Sequence, residues 1–117
     1  MAAAPTSPPV RVVDDGGASA AVRLPLGGEL AVELGSNRTT GYAWRLVSAD
    51  PARLRLKSHR YRPSTGQGGA PRLGAGGTDV FTFEPVAAGG ETLRFEYRRG
   101  EGGEPARTYR LAVTIVP

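Results

Sequence analysis

Apolar and polar residues alternate with period two along much of this chain. Leu30, Val32 and Leu34 form one such set; Tyr42, Trp44 and Leu46 the next; then come Phe81 and Phe83, Leu93, Phe95 and Tyr97, and last Tyr109, Leu111, Val113 and Ile115. Between them stand Glu33, Arg45, Thr82, Arg94, Glu96, Arg110 and Thr114, so each set reads as a strand with one buried face and one solvated face. The pattern predicts eight strands, at residues 10–14, 19–24, 29–34, 42–48, 53–61, 79–85, 92–99 and 107–116. Gly and Pro clusters punctuate them every ~8 to 12 residues, and no stretch holds a helical period. The expectation is an all-β chain folded as a sandwich of two packed sheets.

The connections differ in length. PLGG at 25–28 and AAGG at 87–90 read as short hairpin turns. GSNRTTG at 35–41, PSTGQGGAPRLGAGG at 63–77 and GEGGEPA at 100–106 are long or dense in glycine, and loops of that kind tend to carry function. If successive strands alternate in direction, these three loops, after the third, fifth and seventh strands, all leave from one end.

Length and composition bound the rest. A chain of 117 residues with 39% hydrophobic residues suffices for one core, so a single domain over 10–117 is expected. MAAAPTSPP at 1–9 has too little apolar surface to offset the cost of ordering and reads as a disordered tail. The formal charge of +4 comes from 15 cations, of which only Lys57 is not arginine, and favours encounter with an acidic partner. There is no Cys, so disulfides, Cys-ligated metals and thiol nucleophiles are excluded. No apolar run approaches the ~18 residues of a membrane span, and Met1 to Pro9 lacks a signal peptide's apolar core. The chain as written is expected to be soluble and monomeric, and cytoplasmic unless a signal has been removed. Arginine in place of lysine, with abundant Ala, Gly and Pro, suggests a GC-rich bacterial genome.

Candidate chemistry is sparse. His59 is the only imidazole, and with no Cys neither a nucleophilic triad nor a metal cluster can be assembled around it. Asp14 and Asp15 precede Gly16 and Gly17 and read as a turn. GAGGT at 74–78 has the glycines of a phosphate cradle, but a strand follows it where a helix N-terminus is required. Arg53, Arg55, Arg60, Arg62, Arg94, Arg98, Arg99, Arg107 and Arg110 decorate the strands, yet Trp44, Phe81, Phe83 and Phe95 fall on the apolar face and so are not placed to stack nucleic-acid bases. Asn37-Arg38-Thr39 matches a glycosylation acceptor, relevant only in a cell that glycosylates it. No enzyme, cofactor, metal, membrane or nucleic-acid partner is expected.

The stretch from Asn37 to Trp44, NRTTGYAW, resembles the N-P-T-T-G-[Y/F]-x-W signature of the chagasin family of cysteine-protease inhibitors, with Arg38 in the proline position. Gly74-Ala75-Gly76-Gly77 is similar to that family's G-x-G-G loop. Tyr97-Arg98-Arg99 fits the start of its Y-x-R-P-W motif, but Gly100 and Glu101 stand where Pro and Trp would be. The resemblance covers most of 10–116. It implies an immunoglobulin-like β-sandwich of about seven to eight strands whose three loops occlude the cleft of a papain-like cysteine protease reversibly. Asn37, Arg38, Thr39, Thr40, Gly41 and Tyr42 would form the central wedge; Gly74, Ala75, Gly76 and Gly77 one flank; Arg99, Gly100 and Glu101 the other. The alternative is a non-inhibitory binding or adhesion module on the same scaffold. Loss of the interface Trp, a residue type worth ~2 kcal/mol or more at such positions, together with Arg38 in place of the proline of the first motif predicts affinity lower by ~10².

Overall fold

The structure, a computed structural model, describes residues 10–13, 19–36, 41–63, 76–100 and 104–117. Asp14, Asp15 and residues 1–9 lie outside them. Eight strands are present: β1 (Val10–Val13), β2 (Ser19–Pro25), β3 (Leu30–Ser36), β4 (Tyr42–Ser48), β5 (Leu54–Pro63), β6 (Gly77–Pro85), β7 (Gly89–Arg99) and β8 (Arg107–Val116). They form two four-stranded sheets, ordered β1-β3-β6-β5 and β2-β8-β7-β4. The β1–β3 and β2–β8 pairs are parallel and the others antiparallel. None of the described residues is helical.

The period-two sets meet between the sheets. Trp44, Phe81, Phe83, Phe95 and Tyr109 are each at most 1% exposed, and Leu24, Leu30, Val32, Leu34, Leu54, Leu93, Leu111, Val113 and Ile115 complete the core. Phe95 is its hub, with ring centroids 4.9 Å from Phe81, 6.3 Å from Phe83 and 6.4 Å from Tyr109. Each such side chain contributes roughly 1.5–3 kcal/mol by leaving water, and no disulfide is needed to hold the layers together.

Two of the expected turns join different partners. PLGG and AAGG are not hairpins: the first leads from β2 in one sheet to β3 in the other, and the second from β6 to β7 across the same gap, with Gly89 and Gly90 already inside β7. Alternation reveals which face of a strand is buried and leaves open which sheet the strand joins. The hairpins are β5–β6 and β7–β8, closed by long loops.

Two carboxylates on the outward side are buried. Glu33 is 4% exposed and Glu96 7%, because arginines lie over them. Arg11 Nε donates to Glu33 Oε2 at 2.5 Å and Arg62 to Oε1 at 2.7 Å. The hydrogen bond from Arg11, helped by that from Arg62 and opposed by burial, holds the Glu33 carboxyl at about 2 against an ordinary value of 4.5. Both guanidinium side chains are 60% exposed, so water screens the attraction.

A carboxyl whose pKa is lowered by folding stabilises the folded state above its unfolded value, and that contribution disappears as pH falls through the folded one. Thermal unfolding of wild type and Glu33→Gln is therefore expected to differ at neutral pH, with the wild type more stable, and to converge between pH 4.5 and about 2. Melting curves that stay parallel throughout that window would show that Glu33 is not the group responsible.

Candidate functional site

Strand register places three loops at one end. Ser36, the last residue of β3, and Pro63, the last of β5, both pair with Gly77, the first of β6. In the other sheet Tyr42, at the start of β4, pairs with Arg99, and Tyr97 pairs with Arg107 at the start of β8. The β3–β4, β5–β6 and β7–β8 loops thus leave from the same end. The β5–β6 and β7–β8 loops each close a hairpin within one sheet; the β3–β4 loop crosses from one sheet to the other.

Of the residues singled out in the sequence, Asn37, Arg38, Thr39, Thr40, Gly74, Ala75 and Glu101 lie outside the described residues. Gly41, Tyr42, Gly76, Gly77, Arg99 and Gly100 are described and line this end. Gly41, Gly76 and Gly100 have φ of +86°, +79° and +67°, so each loop has at its margin a backbone conformation that L side chains rarely adopt. At Gly41 the Arg99 side chain occupies the side where a Cβ would stand, 3.4 Å from it, so the end of β7 packs against the margin of the β3–β4 loop. Gly77 is fixed by space: a Cβ there would sit 2.4 Å from the Arg62 carbonyl oxygen and 2.7 Å from the Tyr61 ring.

Gly100 also explains one departure from the chagasin-like pattern. Proline holds φ near −65°, so the backbone seen at this position excludes it. Its replacement by glycine is built into the conformation of the β7–β8 loop.

Beneath the loops lies an aromatic base. Tyr42 stacks on Tyr97 at 5.2 Å between centroids, Tyr97 contacts Trp44 at 5.1 Å, and the Arg107 guanidinium lies over the Trp44 ring at 5.2 Å. Trp44 also reaches the other sheet twice. Its indole Nε1 donates to the Gly35 carbonyl at 2.7 Å, and its backbone N–H donates to Asp79 Oδ2 at 3.3 Å. Since β4 is an edge strand, Asp79 supplies an acceptor that no neighbouring strand provides.

Asp79 is fully buried, and its Oδ1 is 2.7 Å from His59 Nε2. His59 stacks on Phe81 at 4.0 Å, an orientation created by a register shift between Leu56 and Ser58. The extra residue turns the inward phase from Leu54 and Leu56 to His59 and Tyr61, which explains why the histidine looked one step out of phase. Sequence reasoning passed over Asp79, although the spacing of Asp79, Phe81 and Phe83 puts a carboxylate in core phase. Nearby, the buried Ser36 Oγ has no hydrogen-bond partner among the described residues. No three His, Asp or Glu residues come together as a metal site among the described residues.

Removing the indole donor with Trp44→Phe, or the carboxylate charge with Asp79→Asn, is expected to cost about 1–3 kcal/mol each in urea unfolding, with a combined loss smaller than the sum. Strict additivity would mean that the two groups do not act as one tether.

Comparison with known proteins agrees with this geometry. The cysteine protease inhibitor EhICP2 from Entamoeba histolytica superposes with a TM-score of 0.76 at 19% identity, covering 92% of this chain and 95% of the inhibitor. PbICP-C, solved in complex with falcipain-2, gives 0.65 at 15% identity over 97% and 96% of the two chains. The Leishmania mexicana ICP gives 0.61 at 28% identity over 86% and 90%. No curated protein matches the chain in sequence. A sequence model described as Chagasin family peptidase inhibitor I42 matches residues 23–114, from β2 into β8. With that match over most of its length and the same sandwich, the chain belongs to the chagasin family of peptidase inhibitors.

Proposed function

We propose that this protein is a reversible inhibitor of papain-like cysteine proteases, with Thr39, Thr40 and Gly41 as the wedge that enters the cleft. The observation that carries the reading is the gathering, at one end of the sandwich, of the three loops that bear the motif residues. Family membership and the likeness to an inhibitor solved with falcipain-2 support it. A wedge needs small residues to descend to a nucleophile at the bottom of a narrow cleft. Gly41 lets the chain turn there, and two threonine hydroxyls can meet the polar groups of the site with few rotamers to lose.

Rigidity of the loop root supports the same reading. Trp44 and Asp79 tie the residues on both sides of the β3–β4 loop to the opposite sheet, so less freedom is lost on binding. Asn37, Arg38 and Tyr42 flank the wedge. Gly74, Ala75, Gly76 and Gly77 would grip one wall of the cleft, and Arg99, Gly100 and Glu101 the other. We read the chain as acting without catalysis of its own: its one histidine is occupied by Asp79 and Phe81. The arginine-rich composition supports a bacterial source.

Steady-state assays against papain are expected to show inhibition at or below roughly 1 μM, weakened at least tenfold by Thr39→Ala/Thr40→Ala. No inhibition at a hundredfold higher concentration would refute the reading. Glu101→Trp, which leaves the Gly100 backbone untouched, is expected to tighten papain binding by roughly tenfold or more. Unchanged affinity would place the β7–β8 loop away from the protease.

A further inference from the structure

The two outer faces of the sandwich carry their charge differently. On the β1-β3-β6-β5 sheet, Arg55 pairs with Glu84, Lys57 with Glu29, and Arg11 and Arg62 with Glu33, which leaves Arg60 alone without a carboxylate partner among the described residues of that face. On the β2-β8-β7-β4 sheet five arginines, Arg23, Arg45, Arg94, Arg98 and Arg110, face a single carboxylate, Glu96. That excess of four equals the formal net charge of the whole chain.

Glu96 is already engaged, by Arg98 at 2.6 Å and more loosely by Arg94 at 3.6 Å. Arg23, Arg45 and Arg110 have no carboxylate partner among the described residues. Arg94 and Arg110 stand directly opposite each other across β7 and β8, a like-charge pairing that destabilises a sheet. An arrangement that costs stability in the free protein and leaves cations unpaired suits an anion bound from outside.

The registers align these arginines in a stripe. In the strand register Arg23 on β2 stands opposite Thr114, four residues along β8 from Arg110; Arg110 stands opposite Arg94; Arg45 on β4 stands opposite Glu96 without an ion pair, and Arg98 lies two residues further. The stripe crosses the face diagonally over roughly 27 Å of strand length. Small residues such as Ala43 and Ala112 flank it, and Arg23, Arg45, Arg94 and Arg110 are exposed.

The geometry points to a linear polyanion, and we propose that this face binds a sulfated polysaccharide chain laid along the arginine stripe. Guanidiniums match sulfate oxygens with paired hydrogen bonds, and repeated sulfates along a chain match repeated arginines along a stripe. Single-stranded nucleic acid fits less well, since binding it relies on exposed aromatics, whereas Trp44, Phe81, Phe83, Phe95 and Tyr109 are buried, the half-buried Tyr42 and Tyr97 lie on the inward phase of their strands, and Tyr61 belongs to the other sheet. The inference does not depend on protease inhibition.

Heparin binding to the full chain, measured by calorimetry at ~0.15 M salt, tests it. Arg94→Gln/Arg110→Gln is expected to lower heparin affinity roughly tenfold or more, while Arg55→Gln/Arg60→Gln, which removes the same charge from the other sheet, lowers it less than about twofold. Because Arg94 and Arg110 repel each other, the melting temperature of the first variant is expected to be no lower than that of wild type. Arg94→Lys/Arg110→Lys keeps the charge without the fork and is expected to bind with intermediate affinity, which provides a second reading should the glutamine variant fold poorly. Undetectable heparin binding, equal losses in the two glutamine variants, or tighter binding of a single-stranded oligonucleotide of matched charge would each overturn the proposal.

Discussion

The organisation of this protein depends on Trp44 being held by the sheet it does not belong to. Its backbone and indole N–H groups both donate across the sandwich, to Asp79 and to Gly35, while its ring fills the core. Hydrophobic packing alone would press the two layers together without fixing their relative position, because apolar contact is non-directional. Two directional bonds at one residue set the register between the layers at the end where the three loops emerge.

The carboxylate that accepts one of those bonds would be costly to bury alone. His59 and the Trp44 N–H meet its two oxygens. The histidine is available only because the extra residue in β5 turns the strand over. A local irregularity of one edge strand therefore sustains a contact between the sheets, and through it the root of the loop that crosses them.

Much of this was legible in the sequence, and the limits have physical causes. Period-two alternation marked five of the eight strands and most of the core, since a half-buried strand is encoded by its own residues, and Gly and Pro clusters bounded the other three. It could not show that PLGG and AAGG cross between sheets, because pairing is decided by residues far away in the chain. Glu33 and Glu96 lay on the outward phase as expected but are covered, because arginines on neighbouring strands fold over them. Gly41 and Gly100 were noticed as motif positions; their left-handed backbones supply the physical reason for glycine there. Asp79 went unnoticed because an acid in core phase looks like an interruption of the pattern until its partners are known.

The difference between the crossing loop and the two hairpin loops has an evolutionary consequence. A loop that closes a hairpin can lengthen or change sequence at a small, slowly growing entropic cost, since its ends are held together by their own ladder. The β3–β4 loop has no such ladder: its ends belong to different layers, and a change in its span would pull on the packing between them. Divergence should therefore accumulate in the β5–β6 and β7–β8 loops first, leaving the crossing loop as the slowest clock at this end of the molecule. The β7–β8 loop, where two motif residues are missing beside the one change in NRTTGYAW, follows that order, whereas GAGG in the β5–β6 loop keeps its pattern.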